Sequence, residues 1–181
     1  ELAIFKAIVA ADILEAIRAH LAPAFQGQDS QSLNLVYEQA KGEVQKGLRN
    51  RSQGLGSALK KAQAFLAPLK KNRMSMPDPP LIGLVGEIFM RGSPSANGGI
   101  IARLESLGLE VAPTPMAEWL EWVLLTHAQR TAKEGRKLEA LKVYAKLWFL
   151  ELTARRLKAK FPEFKACLQT PKTAVIAKKA A

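Results

Sequence analysis

Cysteine and histidine are nearly missing from this sequence: Cys167 is its one cysteine, and His20 and His127 are its two histidines. An internal disulfide is therefore excluded, and no cysteine-based metal site can close. Two histidines so far apart do not make a self-contained zinc site either. Scarce cysteine points to a cytoplasmic protein. No apolar run approaches the ~18 residues that a membrane helix needs, so no membrane partner is expected. The apolar N-terminal stretch is broken by Lys6 and Asp12, unlike a signal peptide. An initiator methionine is also missing, and the expectation is a processed protein or an excised piece of a longer one.

What is present is ordinary for a soluble domain: 181 residues, 48% hydrophobic and 24% charged. The length fits one domain, or one with a helical extension. The net charge of +11 is unevenly placed. Residues 1–119 carry 13 Lys and Arg against 11 Asp and Glu, whereas residues 120–181 carry 14 against 5. A basic C-terminal third can meet nucleic acid, a nucleotide-like ligand, an anionic lipid surface or an acidic partner, or can be a solvated helix face.

Four segments and a linker organise the chain. Residues 1–76 read as a helical N-terminal segment. Phe5, Val9, Ile13 and Ile17 recur every four residues over 2–22, although a strand over 3–9 is an alternative. Leu33, Val36, Ala40, Val44 and Leu48 stripe a helix over 33–49, with Ser30 or Ser32 as its cap. Leu59, Ala62, Phe65, Leu66 and Leu69 stripe another over 57–69. Residues 70–80, KKNRMSMPDPP, read as a linker whose prolines favour an extended entry into Leu81. Residues 81–115 form a βαβ unit. Leu81–Phe89 is a nearly continuous apolar run, the pattern of a parallel strand buried on both faces. A loop to Gly99, a helix ended by Gly108 and a strand over 109–112 follow. Residues 116–168 are a basic helical region broken near Gly135. There Leu138, Leu141, Ala145, Trp148 and Leu152 are spaced for packing against another helix. Residues 169–181 are a tail, in which TAVIA could add an edge strand. The fold class is therefore helix-rich α/β: a small parallel sheet with a βαβ unit, flanked by long helices and part of a larger doubly wound fold.

Ligands of open parallel sheets bind at the carboxyl ends of the strands, so the candidate site lies there. Glu87, beside Gly86, reads either as a ligand-facing acid or as an acceptor for the loop amides of 92–98. Arg91 reads as its ion-pair partner or as an anion ligand. Ser93-Pro94-Ser95-Ala96-Asn97-Gly98-Gly99 could cradle an anion with its amides, with Asn97 as N-cap of the next helix. This loop is neither a Walker A loop nor the G-x-G-x-x-G fingerprint. Glu118 falls at the same sheet end and suits a first helical turn. Trp119 and Trp122 read as core aromatics. His127 and Cys167 have no visible catalytic partner, so no catalytic residue and no metal ligand is assigned.

Taken in order, VGEIFMR, PSAN, RLESLGLEV and P-x-x-EW resemble the 2-hydroxyglutaryl-CoA dehydratase component D-like family, with its benzoyl-CoA reductase-like and activase-related members. The matching residues are Gly86, Glu87, Ile88, Pro94, Ala96, Asn97, Leu104, Glu105, Gly108, Glu110, Val111, Glu118 and Trp119. The resemblance implies anaerobic iron–sulfur chemistry on acyl-CoA substrates, with an ATP-dependent activase or other dehydratase subunits as partners. It also implies a [4Fe–4S] cluster in the parent system. A lone Cys167 departs from that pattern, since a cluster needs several thiolates. The chain is thus expected to hold no cofactor and to be non-catalytic alone, with Glu87, Arg91, Ser93, Ser95, Asn97 and Glu118 as an inherited ligand edge. The rival expectation is a basic nucleic-acid-binding module using residues 130–160.

Overall fold

The structure, a computed structural model, describes residues 2–50, 54–84, 86–87, 89–90, 93–112 and 114–169. Helix α1 (Leu2–Leu21) is its hub. Phe5, Val9, Ile13 and Ile17 are each at most 5% exposed, and Leu14 and Leu21 widen the stripe. Each such side chain contributes about 1.5–3 kcal/mol on burial, which is why this period yields a helix and not the alternative strand.

Helix α2 (Ser30–Arg49) turns back into α3 (Gly54–Leu66). Neither Ser30 nor Ser32 caps α2 in the expected way. Their hydroxyls donate backwards to the carbonyls of Gly27 and Asp29, at 2.7 and 2.6 Å, and accept no amide. Leu33, Ala40 and Val44 are buried as the stripe requires, but Leu48 is 39% exposed. Gly47 takes its place in the α2–α3 contact. A Cβ built there would lie 2.3 Å from the Ala58 Cβ, so the two backbones approach as closely as glycine permits. Helix α3 begins at Gly54, three residues earlier than the spacing predicts, and Phe65 turns outward.

The supposed linker is partly helical: α4 spans Lys70–Met74. Strand β1 (Leu81–Gly83) pairs in parallel with β2 (Glu110–Ala112), in the register Leu81↔Glu110, Ile82↔Val111 and Gly83↔Ala112. Between them lies α5 (Ile100–Ser106), closed by Gly108 at φ +79°. This is the expected helix-rich α/β arrangement, with a smaller sheet. The apolar run beyond Gly83 is not strand among the described residues, and Leu81 is 66% exposed. So β1 is not buried on both faces.

Helices α6 (Met116–Lys133) and α7 (Lys137–Lys158) pack on each other, with Gly135 at φ +83° between them. Their buried faces are rich in small residues: Ala117, Ala128 and Thr131 on α6, and Ala140, Thr153 and Ala154 beside Leu150 and Leu157 on α7. Small residues let the axes close, and large ones are displaced outward. Trp119 and Trp122, expected in the core, are accordingly 44% and 50% exposed. The TAVIA segment lies outside the described residues.

Two polar clusters fasten α1 to the βαβ unit. Arg18 donates to both oxygens of Glu105, at 3.1 and 2.9 Å, and to Glu15, which also accepts from the Tyr37 hydroxyl at 3.1 Å. Burial works against the Arg18 cation, but Glu105 and Glu15 outweigh it and hold the proton more firmly than usual. In the second cluster His20 Nδ1 lies 3.0 Å from Glu110, whose other oxygen accepts from buried Arg73 at 3.3 Å.

Candidate functional site

The loop after β1 is held together from within. Glu87 Oε2 accepts from the amides of Phe89 and Met90, at 2.7 and 3.0 Å. Its carboxylate thus braces the turn that it begins, at amides just upstream of those expected. The Phe89 carbonyl accepts from the Ser93 amide, and the Ser93 carbonyl accepts from the amides of Ala96 and Asn97. The hydroxyls of Ser93 and Ser95 share a 2.9 Å hydrogen bond. Asn97 Oδ1 accepts from Gly99 N at 2.9 Å. Gly99, not Asn97, is therefore the N-cap of α5, at φ +68°, and Asn97 makes the two-residue turn leading into it. One continuous set of hydrogen bonds links Glu87 to Asn97.

That set uses part of the loop's donor capacity internally. The amides of Ala96, Asn97 and Gly99 already have carbonyl or carboxamide acceptors inside the loop. Arg91 lies outside the described residues.

Glu118 belongs elsewhere. It lines a groove of about 940 Å³ walled by α1, α6, α7 and residues 161–169, and none of Glu87, Ser93, Ser95 or Asn97 reaches it. Asp12, Glu118, Glu121 and Glu151 face this groove beside Arg155, Lys158 and Lys165, with Tyr144 and Trp148 among its apolar walls. Arg155 donates to Glu151 at 2.6 Å. Glu118 Oε1 is buried and takes no hydrogen bond among the described residues. A buried acceptor left in that state is costly.

Asp12 was visible in the sequence only as a break in an apolar stretch. In the fold its two oxygens accept from Met116 N and Ala117 N, at 3.0 and 2.8 Å. These are orphan amides at the start of α6, where Pro115 offers no side-chain cap. Pro115 directly before MAEW, where a Ser, Thr or Asp would cap, is the available signal. Asp12→Ala is expected to lower stability by about 1–2 kcal/mol, read from urea unfolding, and Asp12→Asn to keep most of it. Burial pushes the Asp12 carboxyl above its ordinary 3.8, against the amide bonds that lower it. The folded state thus holds this proton more tightly than the unfolded chain does. Its contribution is full below pH 3.8 and is lost as pH rises through the folded value. The stability difference between wild type and Asp12→Asn should shift across that window and level off above it.

Among the described residues no group of three or more His, Cys, Asp or Glu is placed to hold a metal ion. A [4Fe–4S] cluster does not fit this chain. Cys167 is the single thiol, donates to the Phe164 carbonyl at 3.2 Å, and is pushed up to about 12 by burial and by the Glu110 charge. At neutral pH it stays protonated and is a poor nucleophile. No helix among the described residues is long and apolar enough to cross a membrane. No family model matches the chain, and no curated protein or solved structure matches it.

Proposed function

We propose that this chain is a domain of a component D-like, activase-related protein of the 2-hydroxyacyl-CoA dehydratase type, non-catalytic alone and without the cluster. Its task is to contact the coenzyme A part of the substrate and to dock against other subunits or the activase. The observation that carries this reading is Glu118, one of the residues of the resemblance, which lines the groove and has a buried carboxylate oxygen that takes no hydrogen bond among the described residues. A pantetheine amide N–H is the type of donor that oxygen lacks. Lys158 and Lys165 supply positive charge for phosphates, and Tyr144 and Trp148 supply apolar surface for methylenes or a purine. Glu105 and Glu110, also in the resemblance, fix the βαβ unit to α1 through Arg18 and His20. Among the described residues each short strand has one neighbour, which with the exposed Leu81 fits a sheet that continues in a larger doubly wound assembly. Glu87, Ser93, Ser95 and Asn97 brace the loop in this reading.

The nucleic-acid alternative draws less support. Arg130, Arg136 and Arg155, within the basic stretch, are held in ion pairs with Glu134, Glu139 and Glu151. Calorimetric titration with coenzyme A tests the proposal. Saturable one-to-one binding is expected, weakened about tenfold by Lys158→Glu, in line with the loss of one charge-assisted contact. An absence of heat at millimolar coenzyme A would sink it, and DNA binding that falls steeply with salt would install the rival.

A further inference from the structure

Helix α7 carries two apolar faces, and the fold covers one. Ala140, Leu150, Thr153, Ala154 and Leu157 are buried against the rest of the molecule. Leu138, Leu141, Ala145, Trp148 and Leu152 follow a three-four-three-four spacing, and at 3.6 residues per turn they fall roughly 180° from the buried set. The sequence predicts a partner helix for this stripe. The structure provides none among the described residues for most of it: Leu138 is 77% exposed, Leu141 63% and Trp148 65%, and only Leu152 at the far end is partly buried. A helix that is apolar on both sides is ordinarily sandwiched.

We infer that this stripe is a docking seam for a helix from another protein, one with an apolar three-four repeat and acidic flanks. The spacing is that of the a and d positions of a coiled coil. It assigns Lys137, Lys142, Tyr144, Phe149, Glu151 and Arg156 to the flanking e and g positions, which select the partner. Three of these are cations and two are aromatic. The one acid, Glu151, already accepts from Arg155 at 2.6 Å. Over its length α7 has six Lys and Arg against two Asp and Glu, so two copies side by side would each bring a charge of +4. In parallel register Lys137 of one copy would face Lys142 of the other, while Glu151, already paired with Arg155, would face Arg156. Charge therefore favours an acidic partner over a second copy. The seam goes beyond the coenzyme reading: its aliphatic end, Leu138 and Leu141, is no part of the groove.

The test uses two synthetic three-heptad peptides with Ile at a and Leu at d, one with Glu and one with Lys at e and g. Their affinity for the whole chain is measured by fluorescence anisotropy, with sedimentation of the chain alone alongside. The acidic peptide should bind saturably and about tenfold or more tighter than the basic one. Leu138→Ser/Leu141→Ser should abolish binding without moving the thermal midpoint, because both side chains are exposed. Lys142→Glu/Arg156→Glu should shift the preference toward the basic peptide. Equal binding of both peptides, or none, overturns the inference. So does a dimer that Leu138→Ser/Leu141→Ser dissolves, which assigns the seam to a second copy. Seam-dependent binding to phosphatidylserine vesicles without peptide binding overturns it in favour of a lipid surface.

Discussion

Replacing Arg18 with alanine is expected to destabilise the fold by about 3–4 kcal/mol, the range for removing one partner of a largely buried ion pair. Arg18 and Glu105 keep only 17% and 14% of their side-chain surface. Without the guanidinium, Glu105 loses both donors, and among the described residues Glu15 keeps the Tyr37 hydroxyl. The effect should be read from urea midpoints at unchanged slope, and a cycle with Glu105→Gln should recover a coupling of about 2 kcal/mol. Arg18→Lys should fall between, because an ammonium cannot serve both Glu105 oxygens and Glu15 in one plane. A cost below about 1 kcal/mol, as for exposed pairs, would mean that the βαβ unit is not fastened to α1 in this way.

The second large effect is steric. Gly47→Ala should lower stability by about 3 kcal/mol, at the upper end for overpacking, although alanine favours a helix over glycine by about 1 kcal/mol. The new Cβ would meet the Ala58 Cβ at 2.3 Å, with the Gly54 carbonyl oxygen at 3.4 Å, so no flexible side chain can yield. Relief requires α2 and α3 to separate. Exchanging the methyl between helices, in Gly47→Ala/Ala58→Gly, should restore most of the loss. Two independent, additive losses in the double variant would contradict the close approach.

Much of this architecture is legible in the residues, and the exceptions have physical causes. The four-residue recurrence from Phe5 to Ile17 identifies α1 because one packed face determines it. Gly108 and Gly135 mark helix ends because both adopt positive φ. Helix α4 is hidden because five residues, KKNRM, are too short to show a period. Strand β1 is overread because an apolar run records hydrophobicity, and pairing with only three residues of β2 sets its length. Trp119 and Trp122 mislead because the α6–α7 contact selects small residues, which a hydrophobicity reading ranks below tryptophan.

The candidate site divides along the same line. The Ser93–Gly99 turn is readable because its hydrogen bonds are local, with the amides of Ser93, Ala96, Asn97 and Gly99 bonded to nearby acceptors. The cap from Asp12 to Met116 and Ala117 spans 104 and 105 residues, and no local pattern announces it. Glu118 is legible as a helix-start acid. Its buried, unbonded oxygen is not, because the walls around it come from α1 and α7.

The proposed role of the groove is tested most directly by residue-resolved amide shifts of the chain during titration with coenzyme A. The account predicts saturating changes at Asp12, Glu118, Trp148 and Lys158, which share the groove, with Ser93–Gly99 unmoved. Changes confined to Ser93–Gly99, or none anywhere, would contradict it.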